Sequence, residues 1–464
     1  MIMNASAAVP KVLLLHCPGD KIYIHDLYCS YSSKADYYWP PSDLIILSGV
    51  LRETRLEVID AVADRLSEEA CLERIRRFAP DVVIFTSGTA TWKNDFAFTA
   101  RVKEETGARL VATGSIFLFE AERFLAAAPH VDAAILDTGT PEIVDYVCGR
   151  KRDYSALAVR RADGLSVPAP ARPAPVFTLP VPRHDLFNLR ANRSPLARRR
   201  PFALVIASIG CPFGCVFCTA GAVAYRSRNL DGVLDELEAL RDLGVREIMF
   251  NDPTFTVSKK RILELCAGME NRGLRFSWVC NAHITTLDEE LAAAMKKAGC
   301  HTVMIGVESG QEEILAATDK KITREKAIRA FAVCKKFRIR TLAYFIVGLP
   351  GETPDSVGRT IRFAKELDPD FASFTVLTPD VGSPLRQESI AKGLIDPDVL
   401  LFDSTCPPVF SSGSLSLEEL WRLRQKAVRS FYLRPAYLLK QLRAVRSVRD
   451  FLYLLDQART MFFR

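Results

Sequence analysis

The sequence predicts an α/β protein. It reads as an open, doubly wound sheet over residues 1–150, a partial barrel of six βα units over 201–385, and a helical, basic C-terminal region over 386–464. Three observations predict this. Short apolar runs alternate with helix-periodic stretches through residues 11–149. Six prolines within 168–182 then interrupt the pattern and mark a Pro/Arg-rich linker over 151–200. From residue 202 a second alternation begins, with a repeat of about 30 residues, the length of a strand–helix unit.

The elements follow in order. Strand candidates in the first part are 12–16, 56–61, 82–86, 110–113 and 133–136, with helices expected over 68–78, 94–106 and 120–127. Four of these five strands end in small or turn-prone residues, such as Thr86-Ser87-Gly88-Thr89, Thr113-Gly114-Ser115 and Asp137-Thr138-Gly139-Thr140. An open parallel sheet lines a ligand crevice at such strand ends. In the second part, strands are expected over 202–209, 245–250, 275–279, 302–307, 341–347 and 371–376. Helices are expected over 230–243, 258–272, 287–298, 324–337 and 354–367, and beyond 385 over 415–432 and 436–461.

Composition narrows the class. The chain has 464 residues, 48% hydrophobic and 25% charged, which suits two or three globular domains. Twelve cysteines without a secretory signal point to the reducing cytoplasm rather than a disulfide framework. Cys71, Cys266, Cys280, Cys300 and Cys334 lie in apolar settings and read as buried thiols. No apolar run approaches the roughly 18 residues of a membrane-spanning helix. The net charge of +7 belongs to the tail: residues 420–464 hold eleven Lys/Arg against two Asp, a local +9, leaving −2 elsewhere.

The chemistry-bearing motif is Cys211-Pro212-Phe213-Gly214-Cys215-Val216-Phe217-Cys218. A short loop with Gly and Pro between the sulfurs can aim three thiolates at one face of an iron–sulfur cube. Three ligands leave one iron open to a small molecule. Half of a zinc site is the alternative, but zinc asks for a fourth ligand, and no second Cys or His pair is evident downstream.

This loop, Cys-x3-Cys-x2-Cys with Phe217 before the last cysteine, resembles the signature of the radical S-adenosylmethionine (SAM) enzymes. The resemblance implies a [4Fe–4S] cluster on Cys211, Cys215 and Cys218, with SAM chelated by the open iron and cleaved to a 5′-deoxyadenosyl radical. It also implies a TIM-like partial (βα)6 barrel with the cluster loop after its first strand. Four more segments close predicted strands. Asp252, in Phe250-Asn251-Asp252-Pro253, is expected to hold the SAM amino group, or to cap the turn before the next helix. Glu308 and Ser309, in Gly306-Val307-Glu308-Ser309-Gly310, are expected to contact SAM. Tyr344 begins Tyr344-Phe345-Ile346-Val347-Gly348-Leu349-Pro350-Gly351, where Gly351 has a supporting role; Tyr344 joins His283 as a catalytic candidate. His283 stands where many relatives carry an arginine, and its alternatives are a proton relay or a satisfied core residue.

The segment around Gly351, together with Tyr38-Trp39-Pro40-Pro41-Ser42-Asp43-Leu44, resembles the subset that carries an N-terminal, Rossmann-like cobalamin-binding domain. Ser87, Thr89, Gly114, Ser115 and Gly139 are the expected crevice residues. No Asp-x-His-x-x-Gly is present, so the resemblance implies base-off cobalamin. Gly139-Thr140-Pro141-Glu142 departs from the Gly-Glu that relatives often show there. The expected reaction is methylation of an unactivated carbon in a small-molecule or lipid-like substrate, with an electron donor such as flavodoxin or ferredoxin. Alternatives are radical cyclisation, ring contraction or C–C coupling on a lipid- or pigment-like substrate, and a non-catalytic cobalamin or cluster sensor, which the Glu308 and Gly351 segments oppose. The arginine-studded tail suggests contact with a membrane surface, in preference to nucleic acid.

Overall fold

The computed structural model describes residues 9–33, 37–169, 173–400 and 407–444. The N-terminal sheet contains β1 (Lys11–His16), β4 (Arg55–Asp60), β5 (Val82–Thr86), β6 (Arg109–Thr113) and β7 (Ala133–Ile135), all parallel, in the order β4-β1-β5-β6-β7. The order reverses between β1 and β5, and crevices form at such a switch point. These strands read as unbroken apolar runs because helices cover both faces. The helices are α1 (Ser42–Val50), α2 (Glu68–Phe78), α3 (Trp92–Thr106), α4 (Ser115–Ala127) and α5 (Glu142–Val147). A small hairpin, β2 (Tyr23–His25) and β3 (Ser30–Ser32), follows β1.

The sheet runs on into the stretch read from sequence as linker. β8 (Leu157–Arg161) and β9 (Gly164–Ser166) extend it antiparallel from β7. Ala156, Leu157 and Ala158 are buried there, an apolar run too short to stand out beside the prolines. β10 (Val176–Phe177) then crosses to the second half.

The second sheet has six parallel strands in sequence order: β11 (Phe202–Val205), β14 (Glu247–Phe250), β15 (Ser277–Ala282), β16 (Cys300–Glu308), β17 (Arg340–Val347) and β18 (Phe371–Val376). The first and last do not pair, so the barrel is open. The single strand expected over 202–209 is broken in two. At the break, the Ala207 N–H goes to the Asp252 carboxylate at 2.8 Å instead of to a neighbouring strand. β12 (Ser208–Ile209) then pairs with β13 (Arg226–Arg228), which in turn pairs with β10. Outside lie α6 (Leu230–Asp242), α7 (Lys259–Asn271), α8 (Glu289–Lys297), α9 (Glu312–Ala317), α10 (Arg324–Lys336) and α11 (Pro354–Leu367). α12 (Pro384–Ala391), α13 (Leu417–Tyr432) and α14 (Pro435–Ala444) follow and complete the described residues. The helix expected over 436–461 lies beyond residue 444 outside the described residues.

The two sheets share one interior. Outward-facing strand residues such as Val205, Phe250, Cys280 and Phe345 pack on the helices. Inward-facing Leu204, Met249, Val279 and Met304 join Val12, Leu14 and the leucines of α1 in a single apolar cluster. All nine residues of α1 are buried, as a helix apolar around most of its circumference requires. Gly49 permits the linker to cross it: a Cβ there would stand 2.6 Å from the Pro180 carbonyl oxygen.

Candidate active site

The three cysteines follow β12 on a loop braced from several directions. Gly210 turns the chain with φ +74°, where a Cβ would lie 2.5 Å from the carbonyl oxygens of Val223 and Ala224. The Cys218 N–H donates to the Cys215 carbonyl at 3.1 Å, and the Val216 N–H donates to that of Thr318 at 3.2 Å. Burial pushes the Cys215 thiol up to about 12; nearby Lys320 opposes that rise, while Cys218, Glu308 and Cys211 add to it. Burial also raises Cys218, countered by the backbone N–H groups of Ala220 and Gly221.

This donor set fits an iron–sulfur cluster. The thiols lie within electrostatic reach of one another, and backbone N–H groups favour the thiolate at Cys218. Among the described residues, no three metal-binding side chains converge on one ion. A cube spreads its sulfur ligands over different irons, so it does not demand such convergence.

Beside Cys218 opens a cavity of about 320 Å³. Its walls come from the cluster loop, from Asn251 and Asn281 at strand ends, from Thr375 and Val376 at the end of β18 with Leu377, Thr378 and Asp380 beyond it, and from Asp26–Cys29 in the hairpin. The cavity therefore has the barrel mouth on one side and the N-terminal half on the other.

The sequence candidates are distributed around it unevenly. Asp252 is 1% exposed and turned away from the cavity. One carboxylate oxygen accepts from the Ala207 N–H and the other from the Ser208 hydroxyl at 2.5 Å, and burial pushes its pKa up to about 7. Its neighbour Asn251 lines the cavity instead, and donates to Asp26 at 2.9 Å and to Ser42 at 3.0 Å. Glu308 sits at a break in the β16–β17 register with φ +65°, a strained conformation for a non-glycine residue. It forms a buried ion pair with Lys320. Gly306 makes room for that pair, since a Cβ there would lie 2.2 Å from both charged atoms. Ser309 faces α11, 3.1 Å from the Thr360 hydroxyl. Gly351 holds φ +83° in the turn before α11. Tyr344 lies inside the barrel with its hydroxyl 3.4 Å from the Met304 sulfur, and burial raises its pKa. The His283 ring stacks on Phe213 of the cluster loop, with centroids 3.8 Å apart and planes 10° from parallel. Burial, helped by Lys320, lowers its pKa to about 4, so the imidazole is neutral at pH 7.

In the N-terminal sheet the five expected crevice residues gather at strand ends. Gly114, with φ +110°, follows β6, and a Cβ there would lie 2.0 Å from the Ser87 carbonyl oxygen. The Ser87 hydroxyl donates to Asp95 at 2.6 Å, while Thr89 and Ser115 are buried close by in sequence. Gly139 lies beside an ion pair of Asp137 with Arg226, so its loop is docked against the barrel half. Gly114 thus lets the end of β6 close on Ser87, and the buried hydroxyls of Ser87, Thr89 and Ser115, at the ends of β5 and β6 beside the switch point, suit a large polar cofactor such as cobalamin.

Sequence reasoning missed Lys320, Asn251, Asp26 and Tyr28. Asn251 adjoins a residue singled out, and a strand-end position was its only signal. The others carry no local pattern.

Residues 205–364 match the radical SAM superfamily model and residues 30–147 match the B12 binding domain. An uncharacterized methyltransferase of Pyrococcus horikoshii is 33% identical over 87% of this chain and 90% of its own length. An anaerobic magnesium-protoporphyrin IX monomethyl ester cyclase of Rubrivivax gelatinosus is 29% identical over 90% of this chain and 78% of its own. Among solved structures, the radical SAM methyltransferase TsrM of Kitasatospora setae, with tryptophan and a SAM analogue bound, superposes with a TM-score of 0.67 at 19% identity, covering 89% of each chain. OxsB, a cobalamin-dependent SAM radical enzyme, superposes with a TM-score of 0.72 at 15% identity, covering 98% of this chain and 71% of its own. With a three-cysteine loop at the barrel mouth, a parallel sheet with a switch point ahead of it, and both matches in that order, the chain belongs to the cobalamin-dependent radical SAM enzymes, whose cofactors are a [4Fe–4S] cluster, SAM and cobalamin.

Proposed function

We propose that this enzyme transfers a methyl group to an unactivated carbon of a small-molecule or lipid-like substrate. The observation that carries the proposal is the cavity beside Cys218, walled by the barrel on one side and by the hairpin of the cobalamin-type half on the other. When bound, the cofactors supply a 5′-deoxyadenosyl radical and a transferable methyl group; the protein binds, orients and keeps water out.

In this reading Cys211, Cys215 and Cys218 hold the cluster. Asn251 takes the place at the SAM site that sequence gave to Asp252, because both Asp252 oxygens are committed to Ala207 and Ser208. Glu308 and Lys320 present a carboxylate and an ammonium beside the cluster loop, and Gly351 shapes the turn that follows. Ser309 supports Glu308 from behind through Thr360. His283, neutral and stacked on Phe213, braces the cluster loop rather than carrying a proton. Tyr344 lines the barrel interior near Asp26 and Tyr37. Ser87, Thr89, Gly114, Ser115 and Gly139 border the cobalamin.

A flavodoxin or ferredoxin would supply electrons. Among the described residues no helix is long and apolar enough to cross a membrane, while Leu433, Leu438 and Leu439 are about half exposed near the basic tail. That pattern supports peripheral contact of a cytoplasmic enzyme with a membrane surface.

A second reading, ring formation without methyl transfer, is favoured by the relatives named as cyclases. The test is anaerobic incubation of reconstituted enzyme with methyl-labelled SAM and candidate substrates. Label in the product together with deoxyadenosine supports methylation. Deoxyadenosine with unlabelled product selects the second reading, and no deoxyadenosine under reductant overturns both.

A further inference from the structure

The β2–β3 hairpin touches both cofactor regions. At its crevice end, the Ser30 hydroxyl accepts the Ala90 N–H at 3.0 Å and lies 2.3 Å from where a Gly88 Cβ would be. His25 approaches Thr91 at 3.5 Å. From the loop between the two strands, Tyr28 grips the cluster loop on both flanks. The Gly210 N–H, one residue before Cys211, donates to the Tyr28 hydroxyl at 2.6 Å. The Thr219 hydroxyl, one residue after Cys218, donates to the Tyr28 carbonyl at 3.4 Å. Tyr28 is 9% exposed, so water does not readily replace these bonds.

We propose that Tyr28, supplied by the cobalamin-type half, is a positioning residue for the cluster loop, and that through its hairpin the seating of the cluster depends on the state of the crevice. The hydroxyl fixes the peptide that enters the Cys-x3-Cys-x2-Cys loop, and the carbonyl fixes the residue that leaves it. A loop clamped at both flanks would hold its three thiols, and so a bound cluster, in one orientation toward SAM. The hairpin is short and paired in register, Tyr23 with Ser32 and His25 with Ser30, so a shift at Ser30 is passed to Tyr28 within two residues. By linkage, if the crevice favours one hairpin position, the cluster loop and the crevice each bias the other.

The inference rests on the three cysteines holding the cluster, and the test separates the two. Wild type, Tyr28→Phe and Thr219→Val are reconstituted anaerobically with iron and sulfide, with and without added cobalamin. The readouts are iron content, the electron paramagnetic resonance spectrum of the reduced cluster before and after SAM, and SAM affinity. Tyr28→Phe keeps the ring and loses only the oxygen that accepts from Gly210. We expect wild-type iron content, a SAM-induced spectral change that is broadened or reduced, and SAM affinity weakened about fivefold, as the loss of one buried hydrogen bond gives. Thr219→Val removes the other flank and should act in the same direction. Added cobalamin should sharpen the wild-type spectrum and leave the Tyr28→Phe spectrum unchanged. If wild type takes up no iron, the cluster assignment fails. If wild type is loaded and both variants match it in SAM affinity and in both spectra, or if cobalamin leaves the wild-type spectrum unaltered, the proposal alone is overturned.

Discussion

Lys320→Met is the sharpest single perturbation. The side chains of Lys320 and Glu308 are 8% and 6% exposed, so neither end of the ion pair is screened by water. Removing the ammonium strands a carboxylate in that setting, which costs about 3–5 kcal/mol. Glu308→Gln removes the stranded charge without changing the shape or the φ of +65° at that position. The double variant should therefore be more stable than Lys320→Met alone, with a coupling of about 1–3 kcal/mol. The assay is urea unfolding of apo wild type, both single variants and the double, followed by far-UV circular dichroism and compared at the barrel transition. Iron uptake should also slow in Lys320→Met, because that nearby ammonium opposes the rise of the Cys215 thiol and so eases its ionisation. If the losses of the two single variants simply add, the pair does not act as a unit and the reasoning is refuted.

Cys215→Ser should abolish iron binding and deoxyadenosine formation together; retention of a cluster at wild-type stoichiometry would contradict the ligand assignment. Glu352 caps the turn before α11, its carboxylate accepting from the Gly348 N–H at 2.7 Å, and burial pushes its pKa up to about 7. A folded-state pKa raised above the unfolded value stabilises the protonated form, so stability should fall by about 3 kcal/mol between pH 4.5 and 7. Glu352→Gln should flatten that part of a urea-midpoint-versus-pH curve. Gly49→Ala should destabilise by about 1–3 kcal/mol through contact with the Pro180 and Val181 carbonyls, read as a lowered thermal midpoint.

The sequence made some features plain and hid others for physical reasons. The strand at 82–86 coincides with β5 because a strand covered on both faces is apolar at every position and bounded by turn residues. The same uniformity hid the break between β11 and β12: a run that is apolar from Phe202 to Ala207 cannot show where a distant carboxylate takes one of its N–H groups. β2 and β3, three residues each, are too short for any periodicity to register. The cysteine loop was legible because its chemistry depends on spacing along the chain. Lys320 and Tyr28 were not, because each acts on a partner set by the fold rather than by sequence: Glu308 on the far side of α9, and Gly210 some 182 positions away. Asp252 shows the converse, a residue in a legible motif whose side-chain direction only the packing decides.

The enclosed first helix carries an implication for the history of such enzymes. With none of its nine residues left facing solvent, α1 cements two halves that could otherwise be inherited, traded or discarded separately. Deleting the leading half would strip the barrel's concave lining bare, so a descendant that gave up its corrinoid would still be obliged to keep the scaffold that once carried it.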